Sequence, residues 1–156
     1  MLTTLLKKLN YIKFRFDLPK SKPILKFDEL NSNLLKKAIK KDFNVMPRHT
    51  TEIYFWIFIK QIILFDFSFL TYFKNYVKFT STKIVITTID NNLSFYKLKN
   101  NLKSVIFISI QNGVRHKNTY FFKKKFIKKN SKYFKNIECD HFFVFNNYIV
   151  REYKKI

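Results

Sequence analysis

At 156 residues the chain has room for one domain with a sizeable core and none for a second compact one. A formal net charge of +21 would ordinarily direct attention to nucleic acid or an anionic membrane. Yet only Arg15, Arg48, Arg115 and Arg151 among the 31 basic residues carry the guanidinium fork that phosphate and base recognition favours. Gly113 and Ala38 are the only glycine and alanine, which reads as codon choice in an AT-rich genome, so no specific nucleic acid is expected as a partner.

The single cysteine, Cys139, excludes an internal disulfide and points to a cytoplasmic chain. His49, His116 and His141 lack metal-ligand spacing, so neither a metal nor a cofactor is expected.

In chain order, residues 1–20 form an amphipathic N-terminal segment with Leu2, Leu5, Leu6 and Leu9 at helical spacing. It either docks on the domain or lies on anionic lipid at the inner face of the membrane. It has no small-residue cleavage site and does not read as a signal peptide. Residues 21–156 then read as one α/β domain. Ile24 to Phe27 predicts a strand, and Asn31 or Ser32 is placed to cap a helix over 33–41 with Leu34, Leu35, Ala38 and Ile39 inward. Phe43 to Met46 predicts a second strand, ended by Pro47.

Residues 53–73 are apolar over nearly the length needed to cross a bilayer core of about 30 Å. Lys60, Gln61 and Asp66 interrupt them, and charges inside a span are costly, so two buried helices are expected instead. The first starts at Thr50 or Thr51 and runs to about Leu64, the second from Ser68 to Val77.

Lys83 to Ile89 and Ser104 to Ile110 are nearly continuous β-branched runs, predicting strands buried on both faces of a parallel sheet. A short helix to Leu98 separates them. Residues 117–135 are lysine-rich and aromatic, an exposed helix or loop. Phe142 to Phe145 predicts another strand and Tyr148 to Lys155 another helix. Strands alternating with helices predict a Rossmann-like, doubly wound, mostly parallel sheet.

Ligands of such sheets bind beyond the carboxyl ends of the strands. Two polar clusters stand there, Asp90-Asn91-Asn92 and Gln111-Asn112-Gly113, with Arg115 and His116 following. Gly113 implies a positive φ, a close backbone approach or an ordinary tight turn. Asp90 has the chemistry of a general base or a hydroxyl-positioning group, and equally that of a helix cap. Arg115 offers two donors to a phosphate or carboxylate, or is simply solvated. Cys139 beside Asp140 and His141 does not make a nucleophilic dyad by adjacency alone.

The blocks KIVITTIDNNLSFYKL, SVIFISIQNGVRH and DHFFVFNNYIVREY resemble the N-terminal half of surface carbohydrate biosynthesis proteins from bacterial polysaccharide loci. Those proteins are similar to GT-B glycosyltransferases and, more distantly, to CDP-glycerol glycerophosphotransferases. The likeness is clearest over residues 83–153 and weaker over 23–60, at Phe27-Asp28 and Arg48 with Glu52. It implies the N-terminal domain of a GT-B-like enzyme with a cleft between two Rossmann-like halves, the donor held mainly by the second half. It further implies transfer of a sugar or related group from a nucleotide-activated donor to a glycan or lipid-linked acceptor. Asp90, Asn91, Gln111, Asn112 and Arg115 would line the cleft, with Gly113 shaping its loop. The chain ends where such an enzyme would continue, so it is expected to lack the partner domain and to be inactive alone. Related transferases often carry histidine at the position of Asn112, and an asparagine cannot take a proton at neutral pH. The alternatives are a basic nucleic-acid-binding module centred on residues 120–135 and a non-catalytic membrane-associated scaffold.

Overall fold

The structure, a computed structural model, describes residues 13–46, 52–113 and 138–154, the last three by their backbone only. It is a mixed α/β chain with an open, mostly parallel sheet. The chain divides into two compact units, one ending at Ile84 and the other beginning at Val85.

Strand β1, Lys13–Arg15, pairs in parallel with β4, Glu52–Tyr54, with Phe14 opposite Ile53. This corrects two expectations. The described end of the N-terminal segment is extended rather than helical, and the apolar run opens with a strand before its helix begins. The reason is tertiary: the Tyr54 amide donates to the Tyr72 hydroxyl at 3.0 Å, and the Trp56 indole donates to the Phe16 carbonyl at 2.9 Å. Residues 1–12 of the amphipathic segment lie outside the described residues.

Strand β2, Ile24–Lys26, is buried throughout and pairs in parallel with β3, Asn44–Val45. Between them lies α1, Ser32–Ile39, on which only Leu35 is buried; Leu34 and Ala38, expected inward, are exposed. Neither expected cap works as such. Asn31 stands at the N-cap in a left-handed conformation without a side-chain cap bond, and Ser32 turns its hydroxyl back to the Glu29 carbonyl.

Two helices follow, α2 over Phe55–Ile63 and α3 over Phe69–Thr80, the latter capped by Ser68 Oγ accepting from the Thr71 amide, but the expected burial is corrected for α2, which buries only Ile57 and Gln61. No helix among the described residues is long and apolar enough to cross a membrane. Among the described residues, four other than glycine hold a positive φ: Asn31, Lys40, Phe65 and Ser81. Three of them, Lys40, Phe65 and Ser81, stand at the C-terminal ends of α1, α2 and α3, where glycine would be the usual choice.

The remaining elements are β5, Ile84–Thr87; α4, Leu93–Lys99; β6, Ile106–Ile110; β7, His141–Phe143; and α5, Asn147–Lys154. The strand order of the larger sheet is β3-β2-β5-β6-β7, with β6 and β7 parallel. Burial of β5 follows its continuous apolar run, but β6 alternates, with Phe107 and Ser109 buried and Ile106 exposed. Among the described residues β7 is the outermost strand, and Phe143 on it is exposed.

Candidate functional site

The second unit holds the residues singled out at the strand ends. Strand β5 runs out into a turn at Thr88 to Asn92, where Asp90 is only 2 % exposed. The turn is fastened from α4: the Tyr96 hydroxyl donates to the Asp90 carbonyl at 2.7 Å and lies 2.9 Å from Ser109 Oγ on β6. One phenol therefore ties the end of β5 to the end of β6. The cap of α4 is Asn92, whose Oδ1 accepts from the Ser94 amide at 3.1 Å, so Asp90 does not cap it. Asn91 is exposed.

Past the end of β6, the Gln111 amide continues the ladder by donating to the Phe143 carbonyl at 2.9 Å. The Gln111 side chain is 3 % exposed and folds back on its own loop, Nε2 donating to the Gly113 carbonyl at 2.8 Å. Its Oε1 is buried with no hydrogen-bond partner among the described residues. Leaving such an acceptor unmet costs about 1–3 kcal/mol. Asn112 is exposed and Gly113 half-buried.

Gly113 departs from expectation. Its φ is not positive, and a Cβ placed on it meets nothing among the described residues within 4 Å. Neither left-handed backbone nor close approach explains its presence, and the ordinary-turn alternative fits. Arg115 and His116 lie outside the described residues, as do 117–135. Of the expected cleft residues, Asp90 and Gln111 are thus enclosed at the ends of neighbouring strands, while Asn91 and Asn112 face solvent.

Cys139 is a free thiol that burial pushes up to about 11, so it is protonated at neutral pH. Asp140 is committed elsewhere, 2.7 Å from Lys99 Nζ and accepting from the Phe107 amide at 2.7 Å. Burial alone would raise the Asp140 carboxyl, but the Lys99 ammonium and the Phe107 amide outweigh it and hold it below the usual range. Among the described residues no three or more His, Cys, Asp or Glu side chains could hold a metal ion.

Tyr96 and Ser109 were not singled out in the sequence. Ser109 had a signal, a hydroxyl inside an otherwise apolar strand; Tyr96 had none beyond its place on an apolar helix face. In the first unit a buried ion pair also went unread. Lys26, with no exposed side-chain surface, puts its Nζ 2.7 Å from Asp28 Oδ1 at the carboxyl end of β2. Burial pushes its ammonium below the usual lysine range and Asp28 pulls it part of the way back. A groove of about 340 Å3 lies along β1, lined by Lys13, Arg15, Asp17 and Glu52 among others. Its guanidinium is already engaged, with Asp17 at 2.7 Å and Glu52 at 3.8 Å.

Comparison of the chain with protein-family models, curated proteins and solved structures finds no match.

Proposed function

We propose that the chain is a transferase-like domain of surface-polysaccharide assembly. It contributes to moving a sugar or related group from a nucleotide-activated donor to a glycan or lipid-linked acceptor, and it works at the cytoplasmic face of the membrane. Support comes from the resemblance over residues 83–153 and from the strand order. Counted within the larger sheet alone, that order is 2-1-3-4-5, one used by doubly wound folds. The GT-B relationship rests on the resemblance.

The observation that carries the reading is the side-chain oxygen Oε1 of Gln111, buried and without a partner among the described residues, in the Ile-Gln-Asn-Gly turn beyond β6. An acceptor kept unmet at a cost is best explained by a donor that arrives with a ligand, and sugar hydroxyls are donors of that kind. Gln111 and Asn112 then orient hydroxyls. Asp90, closed to solvent in this state, serves as a base only if its turn opens on binding.

Calorimetric titration with nucleotide-sugars and acceptor glycans, on the wild type and on Gln111→Leu, tests this. Leucine removes the unmet acceptor together with the donor to the Gly113 carbonyl, so stability should change little while binding weakens. Equal binding by both proteins, or no binding of either ligand class by the wild type, would remove the case.

A further inference from the structure

The turn between α2 and α3 presents apolar side chains outward on a backbone that is firmly built. Phe65 is 88 % exposed, Ile63 70 %, Phe67 62 % and Leu64 60 %. Exposure of this kind in a loose loop would mean little, but here the loop is tied at every step. Buried Gln61 donates through Nε2 to the carbonyls of Asp66 at 3.0 Å and Ser68 at 2.9 Å. Asp66 accepts from the Ser68 amide at 2.9 Å and from the Thr71 hydroxyl. The Asp66 amide in turn donates to the Gln61 carbonyl at 3.1 Å. Phe65 sits at φ 49°, a conformation unfavourable to an aromatic residue. The polar side chains of the turn, Gln61 and Asp66, are thus engaged internally, and the side chains at its tip are hydrocarbon.

The tip continues into an aromatic face. Phe67 meets Phe58 at 6.1 Å between centroids, Phe58 meets Phe14 at 5.6 Å, and Phe55 meets Phe16 at 5.0 Å. Beyond them Trp56 is half exposed, its indole N–H fixed on the Phe16 carbonyl. The charges beside this face include both signs: on β1 Arg15 is balanced by Asp17 and Glu52, while two lysines stand exposed. Lys60 is exposed one turn before the tip, its Nζ 4.4 Å from the Phe79 ring centroid. Lys13 is exposed on β1. Asp66, the acid of the turn, is occupied by its own hydrogen bonds and faces Lys74.

We propose that the α2–α3 turn is a membrane-docking element, inserting Ile63, Leu64, Phe65 and Phe67 among the headgroups of an anionic bilayer with Trp56 at the interface. The occupant follows from charge and shape. An apolar projection flanked by lysines, on a chain of net charge +21, complements an anionic lipid surface, where apolar insertion and lysine attraction add. Tryptophan belongs at that depth, with an apolar ring and a donor already satisfied.

The test is flotation of the full chain with neutral phosphatidylcholine vesicles and with vesicles containing phosphatidylglycerol. Trp56, the only tryptophan, reports its own surroundings by fluorescence. The expected result is binding to anionic vesicles with a blue shift of Trp56 emission. Phe65→Asn should weaken partitioning about tenfold. Asparagine tolerates the left-handed backbone better than phenylalanine, so the thermal midpoint should hold or rise, which separates docking from folding. Lys60→Gln should cost about fivefold, on anionic vesicles only. Binding that is unchanged in Phe65→Asn, or that leaves Trp56 emission unmoved, overturns the proposal and assigns attachment to residues before Lys13. A wild type that ignores vesicles but forms dimers that Phe65→Asn dissolves also overturns it, making the face a contact between copies of the chain.

Discussion

The hydroxyl of Tyr96 stands 2.9 Å from Oγ of Ser109 and 2.7 Å from the carbonyl oxygen of Asp90, all three enclosed. A buried phenol with two partners is a fastening whose removal strands polar atoms on both sides. Tyr96→Phe is expected to destabilise the chain by about 1–3 kcal/mol in urea denaturation. Adding Ser109→Ala should cost less than its separate effect, because one stranded hydroxyl disappears. Strict additivity would show that the two groups do not act together.

Gly113→Ala should be neutral or stabilising, by up to about 1 kcal/mol. The residue has no positive φ and, among the described residues, no neighbour within 4 Å of a Cβ, so alanine should cost nothing in the folded state and narrow the unfolded one. A loss of stability in thermal denaturation would mean that the turn needs glycine for a reason its backbone does not display.

Asp28→Ala takes away the carboxylate 2.7 Å from a fully buried ammonium and should cost about 3–5 kcal/mol. Replacing both partners, Lys26→Met with Asp28→Ala, should recover much of that loss, since no buried charge remains. A double variant as unstable as Asp28→Ala alone would show that the carboxylate's other contacts matter more than the pair.

Alkaline stability should depend on Tyr72. Burial pushes its phenol up to about 12 from an ordinary 10.0, although the hydrogen bond from the Tyr54 amide works the other way. The folded state therefore holds the proton more tightly than the unfolded state. The resulting contribution is fully present below pH 10 and is lost as pH rises from 10 to about 12, to a total of about 3 kcal/mol. Tyr76 is shifted in the same direction, mainly by burial. Denaturation across this range should show a steep decline in the wild type and a shallower one in Tyr72→Phe, which starts lower because the Tyr54 amide has lost its acceptor.

The parts of the fold legible in the sequence were those with a repeating pattern. The β-branched runs located β5 and β6, and the apolar stretch resolved into two helices with the second starting near Ser68. Strands β1 and β4 were not legible, because three residues are too few to show a period of two and their pairing joins segments far apart in the chain. On α1 the periodicity misled: four apolar positions share a stripe, but the structure buries only Leu35. At the strand ends the polar clusters were visible as residue types, whereas enclosure of Asp90 and Gln111 was not. That depends on Tyr96 and on strand β7, which arrive from elsewhere in the sequence. Lys26 was hidden for the same reason, since nothing in Ile-Leu-Lys-Phe says that the lysine will be sealed beside Asp28.

The scarcity of glycine has a practical consequence. Asn31, Lys40, Phe65 and Ser81 each occupy backbone that an L side chain resists, at about 1 kcal/mol or more for those other than asparagine. Together they withhold about 3 kcal/mol from a fold whose whole margin is expected to be about 5–15 kcal/mol. The molecule therefore carries an unspent reserve: glycine at Lys40 and Ser81 would release part of it without touching the core or the strand-end turns. Such a protein would be a sturdier vehicle for ligand titrations than the natural chain.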